Sequence, residues 1–124
     1  MAKILVIDDE QGIRDLLDTL LCRKGYDVVV AENGQKGLQL FRRERPDVIV
    51  IDLKMPGMDG LTVLRQVRSL NPSQPVIILT GAGTPETEQQ VRALGVTEYV
   101  EKEFSLHRLG DSLKRLLAYT DLPA

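Results

Sequence analysis

The chain has 124 residues, enough for one domain around one core, and 43 % of them are hydrophobic, which excludes general disorder. A net charge of −2 gives no domain-wide basic footprint, so direct nucleic-acid binding is not expected. The single cysteine excludes an internal disulfide, and no apolar run approaches the roughly 20 residues needed to span a bilayer.

Met1-Ala2-Lys3 leads directly into an apolar run without a signal-peptide pattern. The expectation is a cytoplasmic protein without a membrane role. Ile4 to Ile7 is short, apolar at consecutive positions and rich in β-branched residues, as a strand buried on both faces of a parallel sheet requires. It ends in Asp8-Asp9-Glu10. Ile13, Leu16, Leu17, Leu20 and Leu21 then recur at helical spacing, and Gly25 closes that helix. Cys22 falls within this stretch and is expected to be a small buried hydrophobe.

Val28-Val29-Val30 predicts a second strand. Asn33 caps a helix carrying Leu38 and Phe41 that stops before Pro46. The Arg42-Arg43 and Arg45 cluster, interleaved with Glu44, reads as a solvated helix end. Val48 to Ile51 is a third strand and ends in Asp52. The turn signal Pro56-Gly57 follows, and Asp59 caps a helix that packs through Leu61, Leu64, Val67 and Leu70.

Val76 to Leu79 is a fourth strand, ending at Thr80. Thr84-Pro85 starts a fourth helix and Gly95 stops it. This helix turns few apolar residues inward, chiefly Val91 and Leu94, and should be the most weakly held. Glu98 to Glu101 is a short fifth strand. Ser105 caps a last helix packing through Leu106, Leu109, Leu113, Leu116 and Leu117.

Five strand–helix units in succession predict an α/β fold: a doubly wound (βα)5 three-layer sandwich filling residues 1–124 as a single domain. In such sheets ligands sit beyond the strand C-termini, where the strand order reverses. With order 2-1-3-4-5, that place lies between the first and third strands, which end in Asp8-Asp9 and Asp52. Thr80 ends the fourth strand at the same rim, with Gly81 leaving space beside it. Tyr99 lies in the fifth strand and Lys102 follows it.

Clustered carboxylates with a backbone carbonyl, which Lys54 can offer, suit a hard divalent cation: Mg2+, or Mn2+ in its place. Asp52 then remains an oxygen nucleophile for a phosphoryl group. Each residue also has an ordinary explanation. An Asp-Asp pair after a strand can be a turn or a cap. Thr80 can be a strand-end hydroxyl, Lys102 a solvated lysine and Tyr99 an edge-strand aromatic. Those explanations do not account for so many polar residues at the C-terminal ends of successive strands. His107 has no partner in the sequence and is assigned no role.

At ILVIDDE (Ile4 to Glu10), VIVIDLKMPGMDG (Val48 to Gly60), VIILTG (Val76 to Gly81) and YVEKEF (Tyr99 to Phe104), the chain resembles the CheY-like receiver domains of two-component response regulators, which have a flavodoxin-like fold. The resemblance covers essentially the whole chain. It implies that Asp52 is the phosphoacceptor, Asp8 and Asp9 the acidic pair around the metal, and Lys54 the carbonyl ligand. It likewise implies that Thr80 is the switch hydroxyl, Tyr99 the switch aromatic and Lys102 the lysine pairing with the phosphoryl group.

It further implies a sensor histidine kinase or phosphotransfer protein as donor. An output domain or target protein would dock on the surface of the fourth helix, fifth strand and fifth helix, with phosphorylation-dependent homodimerisation as a possible companion. The expected role is signalling rather than enzymatic, and no output domain is expected within these residues. One departure stands out: Glu103 follows Lys102 where the family usually has proline. It favours the alternative, a phosphorylation-independent interaction module on the same fold. A flavodoxin-like cofactor binder would need a phosphate-cradling loop where Asp8-Asp9 stands. A dehalogenase-type phosphatase would need a D-x-D arrangement, which is missing.

Overall fold

A computed structural model of the protein describes residues 2–81, 83–96 and 98–101. Strands and helices alternate throughout: β1 (Lys3–Ile7), α1 (Gln11–Arg23), β2 (Asp27–Ala31), α2 (Gly34–Glu44), β3 (Val48–Ile51), α3 (Gly60–Leu70), β4 (Val76–Thr80), α4 (Pro85–Ala93) and β5 (Glu98–Glu101). All strand pairings are parallel, in the order β2-β1-β3-β4-β5. The fifth helix expected from Ser105 onward lies outside the described residues, as do Lys102 and Glu103.

Successive side chains of a strand point to opposite faces, so an unbroken apolar run feeds two cores at once. Leu5, Ile7, Ile49, Ile51, Val76 and Ile78 face the helices α2, α3 and α4. Ile4, Val6, Val48, Val50, Ile77 and Leu79 face the other side, where Leu17 and Leu21 of α1 cover them. β2 forms one edge, and there the burial falls away: Val28 and Val29 are half-buried and Val30 is exposed.

The helix ends follow local chemistry. Asn33, Asp59 and Thr84 each accept a hydrogen bond from a backbone N–H three residues on, from Lys36, Thr62 and Thr87. Pro85 opens α4, where its missing N–H costs nothing. α4 fully buries only Val91, with Leu94 half-buried beyond its end.

Two expectations are corrected. Cys22 is exposed: the inner stripe of α1 runs through Leu17 and Leu21, and the next residue turns outward beside Asp18. Its thiol meets the Asp18 carboxylate at 3.2 Å, which pushes the thiol pKa up and makes it a poorer nucleophile. Leu70 is 52 % exposed because α3 packs through Val63, Leu64 and Val67 and ends at Leu70 itself. Among the described residues, no helix is long and apolar enough to cross a membrane.

Candidate functional site

The register places Ile7 opposite Ile51, and Ile51 opposite Ile78, so β1, β3 and β4 end at one rim of the sheet. The ladder runs one bond further. The Asp52 N–H donates to the Ile7 carbonyl at 2.9 Å, and the Asp8 N–H donates to the Ala31 carbonyl at 3.1 Å. Asp8 and Asp52 are thereby fixed at the rim and are 1 % and 3 % exposed. Asp9 and Glu10 follow on the solvent side.

One carboxylate oxygen from each of Asp8, Asp9, Glu10 and Asp52 lies within 4.8 Å of the others. Two such charges about 5 Å apart repel by roughly 3 kcal/mol at an effective dielectric of about 20. A cation placed among them would offset that repulsion. The donor set is all carboxylate oxygen, which a hard divalent ion takes in preference to a soft one. Exposed Asp9 and Glu10 leave a side open to water, as suits Mg2+, which keeps several waters on binding. The residues present fit such an ion.

Sequence reasoning missed Glu10 and Arg14. Glu10 takes the N-cap position of α1, yet its side chain makes no capping bond and its carboxylate joins the cluster. Its N–H donates to Asp8 Oδ1 at 2.9 Å, which fixes the Asp8 carboxylate. One helical turn on, Arg14 Nη1 donates to the Asp8 carbonyl at 2.8 Å and brings a guanidinium beside the acidic rim. The available signal was the i, i+4 spacing of Glu10 and Arg14, directly after the aspartate pair.

The turn after Asp52 is closed by its own backbone. The Gly60 N–H donates to the Leu53 carbonyl at 2.9 Å, and Gly57 takes a φ of 78°. A Cβ on Gly60 would overlap the Asp52 carbonyl oxygen and stand 2.7 Å from the Leu53 Cα. Only glycine lets α3 begin this close to the residue at the centre of the site. Lys54 is exposed, and its N–H approaches Asp52 Oδ1 at 3.4 Å. A groove of about 550 Å³ separates this turn from the Thr84, Thr87 and Gln90 face of α4.

Thr80 is fully buried at the end of β4, opposite Glu101 in register. Tyr99 is half-buried in β5 opposite Ile78, with the Arg92 guanidinium carbon 5.8 Å from its ring centroid. The structure thus brings Asp8, Asp9 and Asp52 together; Thr80 ends β4 at the same rim, and Lys54 follows β3 there.

The sequence matches the family model of the response regulator receiver domain over residues 4–114. It is 36 % identical over 115 residues to sporulation initiation phosphotransferase F of Bacillus subtilis, covering 93 % of each chain. It is 38 % identical to the probable transcriptional regulator ycf27 of Guillardia theta, covering 98 % of this chain but 48 % of that protein. Other curated relatives are also about twice as long as the chain or longer. Among solved structures, the response regulator TrrA of Thermotoga maritima, in complex with Mg2+ and BeF, superposes with a TM-score of 0.84 at 36 % identity, covering 94 % of this chain and 100 % of that one. With the doubly wound sheet and its acidic rim in place, these matches establish that the chain belongs to the response regulator receiver domain family.

Proposed function

We propose that this receiver domain accepts a phosphoryl group on Asp52 from a histidine kinase or phosphotransfer protein and passes the change to an output partner. The observation that carries the reading is the buried Asp52 carboxylate at the end of β3, within 4.8 Å of its acidic neighbours in the loop between β1 and α1. The relative named a phosphotransferase and the neighbour crystallised with Mg2+ and BeF support it.

In the proposed transfer an Asp52 oxygen attacks phosphorus in line with the donor's P–N bond. The O–P bond forms as the P–N bond breaks, and the departing imidazole keeps the electron pair and takes up a proton. Mg2+, when bound, would supply positive charge to offset that of the phosphoryl oxygens. Asp8, Asp9 and Asp52 would hold that ion, with the Lys54 carbonyl as a further ligand. The Thr80 hydroxyl and the Lys102 ammonium complete the donors around the acyl phosphate. The domain promotes only its own phosphorylation and dephosphorylation, and acts in the cytoplasm.

Phosphorylation adds about 1.5 to 2 negative charges and new acceptor oxygens. Thr80 then moves toward them and vacates space that favours the inward placement of Tyr99, and the face that includes α4 and β5 changes shape. α4, which fully buries only Val91, is suited to this because little packing must be broken to move it.

The test is incubation with a small phosphodonor and Mg2+, followed by intact-mass measurement. The wild type should gain one phosphoryl group; the Asp52→Asn variant, or the wild type with a chelator, should gain none. No gain in the wild type, or an equal gain in Asp52→Asn, overturns the assignment.

A further inference from the structure

Gly83 lies in the loop between β4 and α4, three residues after Thr80 and one before the α4 cap Thr84. Its φ is not among the positive ones, so the turn itself does not require glycine. The space does. A Cβ at position 83 would fall on the Tyr99 hydroxyl, 3.1 Å from Tyr99 Cζ and 3.2 Å from Thr80 Cγ2. The Tyr99 hydroxyl therefore sits where any other residue would carry its first side-chain carbon. Thr80 and Tyr99, from neighbouring strands, border the same small space.

We infer that Gly83 is the positioning residue of the switch: its missing side chain is the seat of the Tyr99 hydroxyl, and the size of residue 83 sets how readily Tyr99 occupies the space under the β4–α4 loop. This rests on the phosphoacceptor reading above and specifies how the same site is regulated. The steric conflict created by a methyl group here is with the far end of a side chain that rotates about two bonds. It is relieved by swinging the ring, with the backbone in place. Gly60 is the opposite case, because the atoms its Cβ would meet are the backbone of Asp52 and Leu53.

Gly83→Ala is accordingly expected to leave the fold intact. At a compatible φ the change also removes freedom from the unfolded chain, which favours folding slightly. Its effect falls on the equilibrium between two placements of Tyr99. A ligand that needs the inward placement loses affinity by the factor through which that placement is disfavoured.

The experiment is a double-mutant cycle over wild type, Gly83→Ala, Tyr99→Phe and the double variant, with beryllofluoride and Mg2+ as the phosphoryl mimic. Amide NMR shifts follow binding, and thermal unfolding follows the fold. In the ligand-free chain, Gly83→Ala should preserve the melting temperature and remove the nuclear Overhauser contacts between the Tyr99 ring and the α proton of residue 83. Retained contacts overturn the inference without any ligand.

With the mimic, Gly83→Ala should weaken apparent affinity about fivefold in the Tyr99 background. In the Tyr99→Phe background the conflicting oxygen is gone, and the loss should shrink to less than about twofold. Equal losses in both backgrounds, or no loss with Tyr99 present, overturn the inference and leave the phosphoacceptor reading standing. A wild type that fails to respond to the mimic removes both.

Discussion

The two rims of the sheet handle charge in opposite ways. At the amino ends of the strands, opposite charges are joined. Lys3 donates its backbone N–H to Asp47 Oδ2 at 2.7 Å and its ammonium to Glu44 at 3.0 Å, with Asp27 at 3.8 Å. Arg68 holds the Leu94, Gly95 and Gln74 carbonyls at 2.5, 2.9 and 2.7 Å, stitching the ends of α3 and α4 to the loop before β4. Burial pushes its guanidinium pKa down, but an arginine remains charged. At the carboxyl ends, Asp8, Asp9, Glu10 and Asp52 crowd like charges together. One rim joins opposite charges. The other holds like charges whose repulsion a cation would offset.

The largest test of that contrast is Arg68→Ala. It leaves three carbonyls, at the end of α4 and in the loop before β4, without their donor and should cost about 3 kcal/mol in denaturant unfolding. Arg68→Lys should recover only part of the loss, because an ammonium cannot reproduce the guanidinium fork. A loss near zero would show that α4 is held by packing alone.

Asparagine substitutions at matched positions sharpen the comparison. Asp47→Asn should destabilise by about 1 kcal/mol, since a charged acceptor for the Lys3 N–H becomes a neutral one. Asp52→Asn should stabilise the metal-free chain by about 1 kcal/mol by removing a repelling charge. Mg2+ should raise the melting temperature of the wild type, and less that of Asp52→Asn, because a ligand binding only the native state stabilises in proportion to its affinity. Equal and same-signed effects at the two aspartates would erase the distinction between the rims.

Helix caps are expected to be worth less, and alike at both ends of the molecule. Asp59→Ala, which removes the acceptor for the Thr62 N–H at 2.9 Å, should cost about 1 kcal/mol. A much larger cost in phosphoacceptance than in stability would show that the cap also positions the turn carrying Asp52.

Much of this was legible in the sequence because strands buried on both faces leave an unbroken apolar signature. Ile4 to Ile7, Val48 to Ile51 and Val76 to Leu79 therefore placed Asp8, Asp52 and Thr80 at strand ends without reference to coordinates. Helix faces read less well. Cys22 and Leu70 both fit an apolar periodicity, but one lies a single residue outside the inner stripe of α1 and the other ends α3. Glu10 resembled an ordinary acid at a helix start, a position carboxylates also favour for the helix dipole. The role inferred for Gly83 left no trace in the sequence. Its spacing to Tyr99 has no period, and the need for a missing side chain arises only when a loop after β4 closes over a ring on β5.

The smallest effect concerns the pH dependence of the amino rim. The Lys3 ammonium, and after it the Arg43 guanidinium, hold the Glu44 carboxyl below the usual glutamate range, while the Glu44 hydrogen bond raises the Lys3 pKa. A carboxyl whose folded pKa is depressed takes up protons less readily in the native state than in the unfolded chain. Its stabilisation is therefore fully present above the ordinary glutamate pKa and is lost as pH falls through the lower, folded value. The Lys3 shift has the opposite sense: its contribution is present at neutral pH and is lost only as pH rises through a value above the usual lysine range. Glu44→Gln should therefore lower the melting temperature slightly at neutral pH and lose that difference in acid, below the folded Glu44 pKa. Lys3 and Glu44 are only partly buried and remain in reach of solvent ions, so added salt should shrink the difference at neutral pH. A gap that persisted in acid would assign the effect to packing of the Glu44 side chain rather than to its charge.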